Sequence, residues 1–265
     1  MPTTYAHDLF GKKIYKKLPE EMRRILKENK DLFRIGLHGP DVLFYFMFSK
    51  NPVSSYGVKM HHTNAREFFE ANMKLARETK DEQLLAYILG FACHFYLDST
   101  CHPYVIRMAE TGKISHTNLE KEMDRELMMQ NGLDPHHYYP SDCIVPKYEY
   151  AKVIHKAIPK IPTVCIWLSM HMMKLLTNLM VNDDEGRKRK IAHYATGLIS
   201  WKAQTFVVDY IMNRHMKPRD WKYVKPALDL YKEAVDVTPK YLIELYGLYD
   251  KESTLCNRWD RTYNI

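Results

Sequence analysis

The stretch Asp81–Cys101, DEQLLAYILGFACHFYLDSTC, decides the fold. It is strongly apolar, shows no alternation of polar and apolar residues, and reads as a helix lying in the middle of the molecule. It also carries chemistry. His94 and Asp98 are four residues apart, and Asp98 and His102 are again four apart. With about 3.6 residues per turn, the three side chains share one helix face if the helix reaches that far. Pro103 follows immediately, so the helix is expected to end there and present His102 at its mouth.

Helical patterning continues on both sides. Leu18–Lys30 has a proline near its start, acids in the first turn and bases at the end, as the helix dipole favours. Thr63–Thr79 is amphipathic, with Phe68, Phe69, Met73, Leu75 and Ala76 near one side. Further helices are expected over Thr117–Gln130, Lys147–Ala157, Pro162–Val181, Lys188–Met212, Pro226–Val235 and Pro239–Tyr249. The segment GLHGPD at Gly36–Asp41 reads as a turn, and Gly132–Pro146 as a surface loop. Nothing calls for a sheet, so the class is all-α, one domain of roughly nine helices spanning residues 1–265.

Composition bounds the rest. In 265 residues, 46% hydrophobic content supports a sizeable core, and 10 glycines without low-complexity tracts argue against disorder. The net charge of +7 suits anionic lipid, nucleic acid or phosphorylated substrates, and equally ordinary surface chemistry. The five cysteines form no CxxC pair, which argues against a disulfide framework and a cysteine-rich zinc knuckle. MPTTYAHDLFGKK has no apolar core of a secretory signal, and no stretch approaches the roughly 20 apolar residues of a membrane span. A reduced, cytoplasmic protein is therefore expected.

A second helix repeats the central arrangement: His116 and Glu120 are four apart, with Asp124 one turn further on. Imidazole and carboxylate ligands without thiolates suit zinc, and less exclusively manganese or iron. A single HxxxD pair is a weak signal, more often a surface hydrogen bond or a capped core histidine. Here, however, Asp98 sits in an apolar segment in which Ala86–Pro103 holds no basic residue but histidine. A buried carboxylate needs a cationic partner, and two successive helices with such pairs bring a metal centre level with the blander reading.

The string GFACHFYLDSTCHPYV, followed by SHTNLEKEMD, resembles the zinc-dependent phospholipase C family, whose all-α fold is shared with single-strand-specific zinc nucleases. The family order is an early histidine, an aspartate after a loop proline, a histidine, HxxxD, a histidine and HxxxE. His7, Asp41, His61, His94 with Asp98, His102, and His116 with Glu120 supply it. The match spans about residues 5 to 125. The resemblance implies two or three zinc ions. Asp41, His61, His94 and Asp98 would hold one, and His102, His116 and Glu120 a second. His7 with a bridging Asp98 would hold a third, completed in the family by the mature N-terminal residue. This sequence departs from the pattern in three places. No tryptophan stands near its start, where loss of Met1 would expose Pro2; His102 follows Asp98 by four residues rather than six; and His62 adjoins His61 as a reserve ligand.

The implied activity is hydrolysis of a phosphate ester, with Asp41 as the proton acceptor for the attacking water. The expected substrate is a phospholipid head group or a small soluble phosphodiester, with no stable nucleic-acid partner and at most peripheral membrane contact. A nuclease-like phosphodiesterase and a metal-binding protein without catalysis are the alternatives. Asp124, Glu122 and His38 are read as neighbours of the ligands or surface groups. His136–His137 is read as a solvated turn, and His155, His171, His193 and His215 as packing or hydrogen-bonding residues. The run PTVCIWLSMHMMKLL is assigned to core, and RKRK at Arg187–Lys190 to a solvated helix start.

Overall fold

The computed structural model describes residues 4–46, 51–181, 187, 190–191, 194, 211–212, 215–251 and 253–264. In chain order the α-helices lying wholly within them are α1 (Thr4–Tyr15), α2 (Glu20–Glu28), α3 (Lys30–Gly36), α4 (Pro52–His61), α5 (Arg66–Thr79), α6 (Glu82–Glu110), α7 (His116–Gln130), α8 (Tyr148–Ala157), α9 (Thr163–Leu179) and α10 (Trp221–Asp250). Tight 3-10 turns at Gly39–Tyr45, Pro140–Cys143, Pro218–Asp220 and Asn257–Asp260 join them. The described residues hold no strand, so the all-α expectation stands, with ten such helices in place of roughly nine.

Helix α6 is the axis. Every residue from Leu84 to Ser99 is buried, and α1, α3, α5, α7, α8 and α10 pack around it. By length and composition it could cross a membrane, contrary to the expectation that no segment could. Its apolar window, however, is 94% buried inside the protein, as the core helix of an all-α fold requires. Its start is capped by Asp81, whose carboxylate accepts the N–H of Leu84 at 3.0 Å. Helices α3 and α6 cross at two glycines: a Cβ on Gly90 would stand 2.2 Å from the Phe33 carbonyl oxygen, and one on Gly36 2.3 Å from that of Tyr87. Only hydrogen at both positions permits this approach.

Three expectations about helix ends are corrected. Helix α6 does not stop at Pro103 but runs on to Glu110, burying Val105 and Met108. The roughly 3 kcal/mol penalty of an interior proline is outweighed by packing on both sides of it. The two helices expected at Pro226–Val235 and Pro239–Tyr249 are one, α10, because Val224, Ala227, Leu228, Tyr231, Ala234, Val235, Thr238, Leu242 and Leu245 form one continuous buried stripe. Conversely, Leu18–Lys30 ends early, at Glu28. Asn29 (φ −114°, ψ 36°) breaks the path, and α3 starts afresh to bury Leu32, Phe33 and Ile35.

The stretch Gly132–Pro146 is not wholly a surface loop. Ser141, Cys143 and Ile144 are buried, while His137 stays exposed beside Asp134 at 2.6 Å. All five cysteines are free, as expected. Most of the helix expected over Lys188–Met212, with His193 and part of the basic run 187–190, lies outside the described residues.

Candidate metal centre

Five chain segments deliver the candidate ligands. His7 comes from α1, Asp41 from the 3-10 turn, and His61 from the last residue of α4. His94, Asp98 and His102 line one face of α6, and His116 and Glu120 open α7. Seven of the eight are buried; His116 alone is part-exposed, with 33% of its side chain accessible.

Their ligand atoms gather into three groups: His7, His94 and Asp98; Asp41, His61 and His94; and His102, His116 and Glu120. Asp98 is the hub. Its Oδ1 lies 3.3 Å from His7 Nε2 and 3.6 Å from His102 Nε2, and its Oδ2 3.1 Å from His94 Nε2 and 3.8 Å from His61 Nε2. Asp41 Oδ1 stands 3.1 Å from His61 Nε2 and 4.0 Å from His94 Nε2. Glu120 Oε1 is 3.1 Å from His116 Nε2 and 3.4 Å from His102 Nε2. With bonds of about 2.0–2.1 Å, tetrahedral ligands around zinc stand about 3.3 Å apart, in the middle of these separations.

Several of these atoms are buried without a hydrogen-bond partner: His61 Nε2, His94 Nδ1 and Nε2, His102 Nε2, His116 Nε2, Asp41 Oδ1, Asp98 Oδ2 and Glu120 Oε2. Most of them stand within 4.0 Å of a partner of opposite character, yet none meets hydrogen-bond geometry. Such a cluster of buried, unpaired ligand atoms fits a cation. In the metal-free protein the charges lean on each other. Burial alone would raise the Asp98 carboxyl, but His102, His94 and His7 hold it well below the usual carboxylate range. Glu120 is likewise held down to about 2 against its burial, by His116 and His102. His102, which burial alone would make less basic, is pushed up to about 10 by Asp98 and Glu120.

The surroundings aim the ligands. His61 Nδ1 meets the Gly57 carbonyl at 2.9 Å, which leaves Nε2 for the centre. Asp124 is not among the grouped ligand atoms. Its carboxylate accepts the N–H of Tyr5 at 3.2 Å and of Ala6 at 2.8 Å, pinning the first turn of α1 and hence His7. Burial pushes the Asp124 carboxyl well above its ordinary range. Asp8, next to His7, takes a bidentate pair of bonds from Arg34 at 2.7 and 2.9 Å, which locks α1 to α3. Gly39 has φ +48°, and a Cβ there would fall 2.4 Å from His94 Cδ2, so the turn carrying Asp41 approaches His94 only with glycine at that position.

Other histidines stand apart. His62 is exposed beside Asn264, so His61 and not its reserve joins the grouped atoms. His38 is buried with Nε2 3.3 Å from Cys143 Sγ, and burial lowers its pKa to about 3. Glu122 is buried 3.8 Å from Arg125. His155 Nδ1 lies 2.7 Å from the Ile161 carbonyl, His171 stacks edge-on against Trp167, and His215 is exposed. Sequence reasoning missed Asn264, whose amide meets His102 Nδ1 at 3.1 Å, and Tyr263, whose ring lies 5.2 Å from His61 and 5.8 Å from His94. Nothing local in the sequence marks either residue, because both arrive from the far end of the chain.

No curated protein and no solved structure gives a significant match to the chain. The family model for zinc-dependent phospholipase C matches residues 6–166, a span that contains all eight candidate ligands. With the ligand geometry above, this match places the chain in the zinc-dependent phospholipase C family.

Proposed function

We propose that the protein hydrolyses phosphate esters with a cluster of two or three zinc ions. The observation that carries this reading is the convergence of three histidine–carboxylate groups around Asp98, with ligand atoms at tetrahedral spacing and several of them buried without a hydrogen-bond partner. Asp41, His61, His94 and Asp98 would hold one ion, His102, His116 and Glu120 a second, and His7 with Asp98 a third. Bound zinc supplies Lewis-acid polarisation of a phosphoryl oxygen and a water nucleophile near neutral pH.

The protein's own groups do the rest. Asp41 is kept ionised by His94 and His61 in spite of its burial, as a metal-ligating carboxylate must be; the family resemblance supports its further role as the proton acceptor for the attacking water. Substrate is read as entering from the His116 side, the part-exposed edge of the centre. It is a phosphodiester, either a small soluble one or a phospholipid head group presented at a membrane surface.

The test is turnover of a chromogenic phosphodiester by protein of measured zinc content, with and without chelator. Turnover that chelation abolishes and zinc restores is expected. Protein loaded with two or three zinc ions but inert toward soluble and vesicle-borne phosphodiesters would overturn the catalytic reading in favour of a metal-binding role.

A further inference from the structure

We propose that Asn264 is a positioning residue of the metal centre, orienting His102 from a strap of chain outside the family-matched region. The strap is Leu255–Asn264. Arg66 ties it down through the carbonyl oxygens of Leu255 and Cys256, each at 2.9 Å, and through the Asp260 carboxylate at 2.6 and 2.8 Å. Ala65 donates its N–H to the Arg261 carbonyl at 3.1 Å, and Arg258 reaches Thr100 Oγ1 on α6 at 3.0 Å. Trp259 is fully buried among Phe69, Phe95 and Tyr96, and Tyr263 is buried against His61 and His94. Position 264 is thus held from several independent sides.

At that position the Asn264 amide oxygen lies 3.1 Å from His102 Nδ1, and its amide nitrogen 3.5 Å from His62 Nδ1. An acceptor at Nδ1 requires that nitrogen to donate. The lone pair of the neutral ring is then left on Nε2, which faces Asp98 at 3.6 Å and Glu120 at 3.4 Å. The opposite tautomer would aim an N–H into the centre and exclude a cation from that ligand. Metal-ligating histidines depend on such a partner on their other nitrogen. For His61 the backbone of its own helix supplies it; for His102 the strap does. The amide's second contact explains why an amide suits the place: its nitrogen donates to His62 while its oxygen accepts from His102.

This inference rests on the zinc reading above, and its test separates the two. Zinc affinity is measured by chelator competition for the wild type, Asn264→Leu and Asn264→Asp, together with the visible spectrum of the cobalt-substituted protein. Asn264→Leu removes the acceptor, and is expected to weaken one ion by about 10–100-fold and to change the cobalt spectrum. The ion held by Asp41, His61 and His94 keeps its affinity, which shows that the variant is folded. Asn264→Asp retains an acceptor at Nδ1 and restores wild-type affinity. Wild-type affinity and an unchanged cobalt spectrum in Asn264→Leu would overturn the positioning role while leaving the zinc reading intact, as would an Asp variant as weak as Leu. A wild-type protein that binds no zinc would overturn both.

Discussion

Replacing Gly39 by alanine tests whether the loop that carries Asp41 is built around His94. Gly39 has φ +48°, and the added methyl would sit 2.4 Å from His94 Cδ2, 2.7 Å from Cγ and 3.0 Å from Nε2. The left-handed backbone alone costs about 1 kcal/mol. To restore an ordinary contact the imidazole has to retreat by about 1 Å, and overpacking of that kind costs a further 1–3 kcal/mol or so. Metal sites tolerate ligand displacements of only about 0.2 Å, so the ions that share His94 lose a ligand. Gly112→Ala is the control. Its φ is +66° and nothing lies within 4 Å of the added methyl, so it carries the backbone cost alone. Urea unfolding of the chelated proteins should show Gly39→Ala destabilised by about 2–4 kcal/mol against about 1 for Gly112→Ala. Elemental analysis should show reduced zinc only in the former. Equal destabilisation of the two variants, or full zinc content in Gly39→Ala, would refute the packing argument.

Further tests address separate parts of the molecule. Because His116 is part-exposed and its ring carries little of the core, His116→Ala should lower zinc content by one ion while leaving the chelated protein within about 0.5 kcal/mol of wild type; unchanged zinc would remove it from the site. Gly90→Ala would drive a methyl into the Phe33 carbonyl and part α3 from α6, costing about 2–3 kcal/mol in urea unfolding; a loss under about 0.5 kcal/mol would show that the crossing is not tight. Asp8 is desolvated, which raises its carboxyl, but Arg34 and Lys12 lower it overall. Its contribution is therefore complete above the unfolded carboxyl range near pH 4 and fades as pH falls through the depressed value. Asp8→Asn should cost about 3 kcal/mol at neutral pH, with the gap to wild type closing in acid; a gap independent of pH would contradict the ion-pair account.

Much was legible along the chain. The four-residue spacings His94–Asp98–His102 and His116–Glu120 put candidate ligands on two helix faces. The apolar run around them marked the central helix, and the absence of alternation marked an all-α class. The errors fell where long-range packing overrules local signals. Pro103 reads as a helix end and Pro226 and Pro239 as helix starts, yet each lies inside a helix, because the buried residues on both sides outweigh one missing hydrogen bond. Helices α1 and α4, which carry His7 and His61, went unrecognised. The first starts on a carboxylate borrowed from Asp124, 118 positions beyond Ala6. The second is closely packed against the 3-10 turn that bears Asp41.

Sequence alone therefore determined the candidate ligand types, their helical pairing and the class of fold, since periodicity and side-chain chemistry are properties of a few neighbouring residues. Tertiary structure decided that His7, Asp41 and His61 meet the α6 ligands, that His61 rather than His62 faces them, and that Asn264 stands behind His102. Those juxtapositions depend on which surfaces bury one another, through glycine crossings at Gly36 and Gly90 and a strap anchored on Arg66. Such energies are summed over contacts between distant segments and leave no local pattern to read.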